Sequence, residues 1–143
     1  AVLGEDHDVT AAVCVDGFDT PLGLMRQTAR RWCGPVAELG VPFLWLDQQL
    51  RFGAAANISG AETAAASGVP VLVLHGSDDD TIPADGPSLL AACQKTGAPN
   101  IRTVLLSGET HTSLLHDAQG RCNEAVFAQI DAFYAAALAG GAG

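Results

Sequence analysis

Basic residues are scarce in this sequence: 7 Lys+Arg stand against 16 Asp+Glu in 143 residues, for a formal net charge of -9. A surface that tracks nucleic-acid phosphates needs clustered Lys and Arg, so no nucleic-acid partner is expected. An anionic membrane would repel the same acidic balance. No apolar run approaches the roughly 20 residues that cross a bilayer, so no membrane span is expected. A basic segment followed by a short apolar core, the form of a secretory leader, is also missing. The four cysteines, Cys14, Cys33, Cys93 and Cys122, form no CxxC or CxxH pair, which argues against a zinc knuckle. Cys14 lies in an apolar run and Cys93 on an apolar helix face, so they read as buried, reduced thiols of a cytoplasmic protein. There is no glycine-rich phosphate loop and no internal repeat. Neither a metal nor any other cofactor is expected.

What is present is apolar. Hydrophobic residues make up 48% of the chain and charged residues 16%, enough for one globular domain over 1–143. Residues 9–15 (VTAAVCV), 69–74 (VPVLVL) and 101–106 (IRTVLL) read as strands. They are near-continuously apolar rather than alternating, as in a parallel sheet covered on both faces. A glycine-bearing polar loop follows each one, and parallel strands present such loops along a shared edge. Residues 83–97 and 123–141 carry apolar residues at helical spacing, the second through Val126, Ile130, Phe133, Tyr134, Ala137 and Leu138. The fold class expected is α/β, a parallel sheet with flanking helices.

Between the first two strands lies a helix-like insert at about 21–68, longer than one crossover requires. It is a candidate cap. Its most apolar piece, residues 41–46 (VPFLWL), is expected to pack on the core. Three strands make a small sheet, and the first would show an unpaired apolar edge. The chain also starts at Ala1 rather than Met. Together these lead us to expect a larger sheet, continued by an upstream segment or a partner chain.

Chemistry concentrates at the strand ends. Residues 75–83 read HGSDDDTIP, three carboxylates in a row at the mouth of a buried strand. Asp79 follows the second strand and His111 the third. A carboxylate on one such loop can accept the imidazole Nδ1–H from the next and leave Nε2 free as a general base. Asp78 and Asp80 read as solvated charges, or as partners of the dipole of a helix starting near residue 83. His75 reads as a structural histidine, His116 as the alternative base and His7 as exposed. Phe18 and Ile82 flank the same edge and are candidates for touching substrate.

These loops resemble those of the α/β-hydrolase-fold serine hydrolases. In that superfamily the order is nucleophile, acid, histidine, and the acid often lies in H-G-x-x-D-x-x-(I/V)-P, matched here by 75–83. The resemblance assigns the acid to Asp79 and the histidine to His111 of the loop GETH, and likens the insert to a cap. It covers the C-terminal half of such a fold, with Ala1 to Asp8 following the nucleophile helix. The nucleophile elbow G-x-S-x-G is absent. Ser59, Ser77 and Ser107 lack its paired glycines, and Cys14 lies within a strand. The resemblance therefore implies an esterase- or lipase-like hydrolase portion that supplies acid and histidine to a serine on an upstream or partner chain. The substrate would be a small-molecule ester or acyl compound. Two other readings stand beside it: a non-catalytic α/β fragment or interaction module that binds a partner through its open sheet edge, and a small phosphate-binding α/β domain.

Overall fold

A computed structural model describes residues 8–117 and 119–140. The expectations for His7, for most of the first eight residues and for the last three lie outside these. Three parallel strands, β1 (Ala12–Val15), β2 (Val71–Gly76) and β3 (Ile101–Leu106), form one sheet in that order. Val13 pairs with Leu72, and Leu74 with Val104. Two strands start later than their apolar runs. The cause is Pro70, which has no N–H to give a neighbour. It can only accept, and the first ladder bond here runs from Ala12 N to Pro70 O at 3.0 Å.

Strand β2 is buried at every position, whereas β1 and β3 are only partly so. Side chains alternate across the sheet. Val71 and Val73 meet Ala61, Ala64, Leu89, Leu90 and Cys93 on one face. Leu72 and Leu74 meet Leu114 and Val126 on the other, with Ile130 and Phe133 against them. The sheet is thus the middle layer of an α/β arrangement, with packing on both faces. Leu74 has no exposed surface, so Leu74→Ala should leave a cavity and cost about 2–5 kcal/mol. A urea midpoint that fails to fall would contradict this account of the core.

The helices are α1 (Pro21–Cys33), α2 (Val41–Phe52), α3 (Gly60–Ser67), α4 (Leu89–Thr96) and α5 (Glu124–Gly140). Thr20, Ser59 and Ser88 cap the first, third and fourth, each side chain accepting a backbone N–H of the first turn. Gly68 and Gly97 end α3 and α4 in the left-handed region, φ 68° and 61°. The expected helix from residue 83 begins only at Leu89. Residues 84–87 form turns instead, because Gly86 and Pro87 break the first turn and the Ser88 hydroxyl supplies the cap. Helix α5 buries Val126 and half-buries Ile130 and Phe133. Tyr134 and Leu138 lie off that stripe and are exposed.

The insert is a closed excursion. Asp19, just before α1, accepts Ser59 Oγ at 2.7 Å and Ala61 N at 2.9 Å through one carboxylate oxygen. Its carbonyl accepts Gly60 N at 3.0 Å. The chain therefore leaves and returns at one point, and α3 is the crossover to β2. Between them α2 packs on α1 and on two short 3-10 turns rather than on the core. Of residues 41–46 only Val41 is buried, and Phe43 is 75% exposed. The expectation that this run packs on the core fails because, among the described residues, no sheet face lies beneath it.

Candidate active site

Asp79 and His111 meet where the sheet ends. The loop after β2 is held by the loop after β3: Ser77 N donates to Leu106 O at 2.8 Å, and Asp78 N to Glu109 O at 2.9 Å. The Ser77 hydroxyl accepts Gly108 N at 2.8 Å and donates to Asp78 Oδ1 at 2.7 Å. That hydroxyl is committed to structure.

The Asp79 carboxylate is buried and fully engaged. Its Oδ1 accepts the amides of Thr81 at 2.8 Å and Ile82 at 2.9 Å. Its Oδ2 accepts Nδ1–H of His111 at 2.9 Å. Two amides of its own loop fix the carboxylate plane, and its acceptance of Nδ1–H selects one tautomer of His111, so Nε2 keeps a lone pair. His111 is about one-third exposed, at 37% of its side chain. Among the described residues no hydroxyl or thiol is bonded to it. The arrangement can orient an imidazole and stabilise its cation, and it presents a base outward.

The histidine loop has its own frame. Glu109 accepts Ser113 Oγ at 2.7 Å on one oxygen and Asn123 Nδ2 at 3.0 Å on the other. Ser113 Oγ also accepts Thr110 N at 2.8 Å. Glu109 thus ties His111's loop to the chain entering α5. Sequence reading missed this role, although a Glu two residues before the histidine was visible in GETH.

The neighbours of Asp79 part company with it. Asp78 bonds Ser77 as above. Asp80 pairs with Arg31 of α1, Nη2 to Oδ2 at 2.9 Å, and Nη1 also donates to the Asp80 carbonyl. Asp80 is therefore a tether to the insert rather than a free or helix-end charge. Arg31 holds the Asp80 carboxyl below its usual range, by hydrogen bond first and charge second. A lowered folded value means the tether contributes above the ordinary carboxylate value of about 3.9 and is lost as pH falls below it. Acidification should therefore change the tryptophan fluorescence around Trp32 in the parent but not in Arg31→Ala, and salt should mimic acid because the pair is exposed. Identical titrations of the two proteins would contradict the tether.

His75 has no exposed surface, and its Nε2–H donates to the Ile82 carbonyl at 2.8 Å. Ile82 is buried, and its backbone serves both Asp79 and His75. Phe18 is 40% exposed, and its backbone bridges Ser88. His116 is exposed and bridges Cys122. The four cysteines are free. Cys93 is buried, which pushes its thiol up to about 11, and burial also raises Cys14. Cys33 and Cys122 are exposed. No helix among the described residues is long and apolar enough to cross a membrane.

No curated protein matches the sequence. A model of the prolyl oligopeptidase family matches residues 3–141.

Proposed function

The chain belongs to the prolyl oligopeptidase family, α/β-hydrolase-fold serine hydrolases, and on that premise we propose that it supplies the acid and the histidine of a Ser-Asp-His triad. The observation that carries this is the single Asp79 carboxylate that accepts two backbone amides and the His111 ring. In the proposed reaction His111 Nε2 removes the proton of a serine hydroxyl as its oxygen attacks an acyl carbon. The resulting imidazolium, held by Asp79, returns that proton to the leaving group. Water then repeats the sequence on the acyl-enzyme, with His111 again base and then acid.

The serine belongs to an upstream segment or partner chain, since no G-x-S-x-G occurs here. Strand β1 is the edge at which that upstream segment would extend the sheet; among the described residues no strand lies beyond it, nor beyond β3 at the other edge. The family's name favours an oligopeptide over a simple ester as substrate. The insert is the cap of this reading. Trp32 and Leu50 on it, 80% and 79% exposed, are apolar surface that a substrate or a covering segment would shield. Phe18 stands beside the same edge and would contact the acyl group; Ile82 contributes through its backbone.

The test is labelling by a fluorophosphonate serine probe, with this chain joined to its nucleophile-bearing segment. The parent should be labelled and turn over peptide and ester substrates, while His111→Ala should do neither at a measurable rate. Turnover retained in His111→Ala would sink the assignment. The open β1 edge also favours a second reading, a binding module that captures a partner strand without catalysis. Stable heteromer formation with no labelling in any reconstitution would select it.

A further inference from the structure

Behind Asp79 lies a polar pair that the triad does not use. His75, near the end of β2, and Asp16, just past β1, are both buried. Nε2 of His75 faces the Ile82 carbonyl at 2.8 Å, and because a carbonyl only accepts, that nitrogen carries a proton. Its Nδ1 faces Asp16 Oδ1 at 3.6 Å. Among the described residues, His75 Nδ1 and Asp16 Oδ2 have no hydrogen-bond partner, although both are shut off from water. Buried polar atoms are nearly always paired. Here a bare ring nitrogen lies beside a carboxylate with one oxygen unpaired, and a proton placed on Nδ1 would face that carboxylate. Asp16 also sits at φ 45°, a region a non-glycine residue enters only when its surroundings require it. Its Oδ1 is anchored by Gly76 N at 2.9 Å.

We propose that Asp16 and His75 share one further proton, at Nδ1 and in addition to that on Nε2, and together act as a positioning pair for the Asp79 turn. The charge count supports this. Asp16 and Asp79 each lie 3.6 Å from a different nitrogen of the one imidazole. Two bare carboxylates around a neutral ring would place two negative charges in a dry site, and one retained proton leaves one. Burial raises Asp16, while the Gly76 amide and His75 pull it the other way. The groups that face Asp16 are His75 of β2, Asp79 of the acid loop and His111 of the histidine loop. The positioning follows from Ile82. His75 holds its carbonyl while its N–H holds Asp79 Oδ1 at 2.9 Å, so the ring closes the turn from behind. Asp16, His75 and Asp79 offer ligand atoms within 4.8 Å of one another. They do not suit a cation, since Asp79 already accepts three donors and His75 Nε2 is committed to the Ile82 carbonyl, which leaves only Nδ1 and the Asp16 carboxylate.

The proton-sharing pair stands independently of the triad, whereas its positioning role rests on the reading of Asp79 and His111 given above. The experiment is nitrogen-15 and proton spectroscopy of the full chain at neutral pH. A low-field Nδ1–H resonance of His75 is expected, persisting in His111→Ala and lost in Asp16→Asn. A bare Nδ1 on His75 in the unmodified chain would overturn the pair. For the positioning role, His75→Leu should erode the preference of His111 for its Nδ1–H tautomer, and His75→Gln, whose amide can reach the Ile82 carbonyl, should restore it. An unchanged tautomer in folded His75→Leu would overturn that role. If His75→Leu does not fold, a tautomer in His75→Gln unlike the parent's would overturn it, and one like the parent's would support it. Failure of the triad itself would appear as turnover in His111→Ala and would leave the His75 spectra unaltered.

Discussion

Asp79→Asn, in enzyme completed with its nucleophile, should lower kcat by about 10⁴-fold with little change in KM. The substitution is nearly isosteric, so the turn survives. Thr81 and Ile82 donate their amides to Oδ1, and these select the orientation of the asparagine by demanding its carbonyl oxygen there. The side-chain NH2 must then take the place of Oδ2, 2.9 Å from His111 Nδ1. A donor in that place forces His111 to accept on Nδ1 and to carry its proton on Nε2. A protonated Nε2 cannot remove a proton from serine. The result is loss of the base without loss of the fold. Steady-state kinetics checks it, with thermal melting to show that stability is nearly intact. A loss of less than tenfold would mean that Asp79 does not orient the reacting imidazole.

Gly76→Ala should damage both stability and activity. A Cβ built on Gly76 would lie 2.2 Å from the Glu109 carbonyl oxygen and 2.7 Å from its carbon. Both are backbone atoms and cannot rotate away, so the histidine loop must lift. Lifting it also strains the bond from Asp78 N to Glu109 O, 2.9 Å in the native loop. Overpacking of this kind costs about 1–3 kcal/mol. A displacement near 1 Å at the base costs on the order of 10²-fold in rate. The expected pattern is a lowered urea midpoint together with a lowered kcat. Parent-like kcat would show that His111 is placed independently of the contact between its loop and Gly76.

Some of this was legible one-dimensionally. The unbroken apolar runs announced strands covered on both faces; β2 is buried throughout, whereas β1 and β3 are so only in part. The resemblance of 75–83 to the hydrolases' acid motif singled out Asp79 from its two acidic neighbours before any geometry was known. Reading failed where neighbours in space mattered more than neighbours in the chain. Residues 41–46 looked like core, yet helix α2 has no sheet beneath it. Asp80 looked like a bystander, yet it meets Arg31, 49 residues away. Asn123 and Asp19 carried no signal of their own, because each works by bonding a distant loop.

By itself, then, the sequence determined the class of fold, the placing of Asp79 and His111 on successive strand-end loops, and the absence of a G-x-S-x-G. Each follows from local composition or spacing: apolar runs demand burial, and strand-end loops fall on one edge. The tertiary structure alone decided the rest. Pairing β2 with β3 brings the Asp79 carboxylate within 2.9 Å of the His111 ring. Closing the insert on Asp19 sends α2 away from the core. The end of β1 brings Asp16 beside His75, a meeting across 59 positions of the chain, from 16 to 75, that no periodicity encodes. Hydrogen bonds and charge pairs act over a few ångströms, and which groups come that close is settled only when the layers have packed.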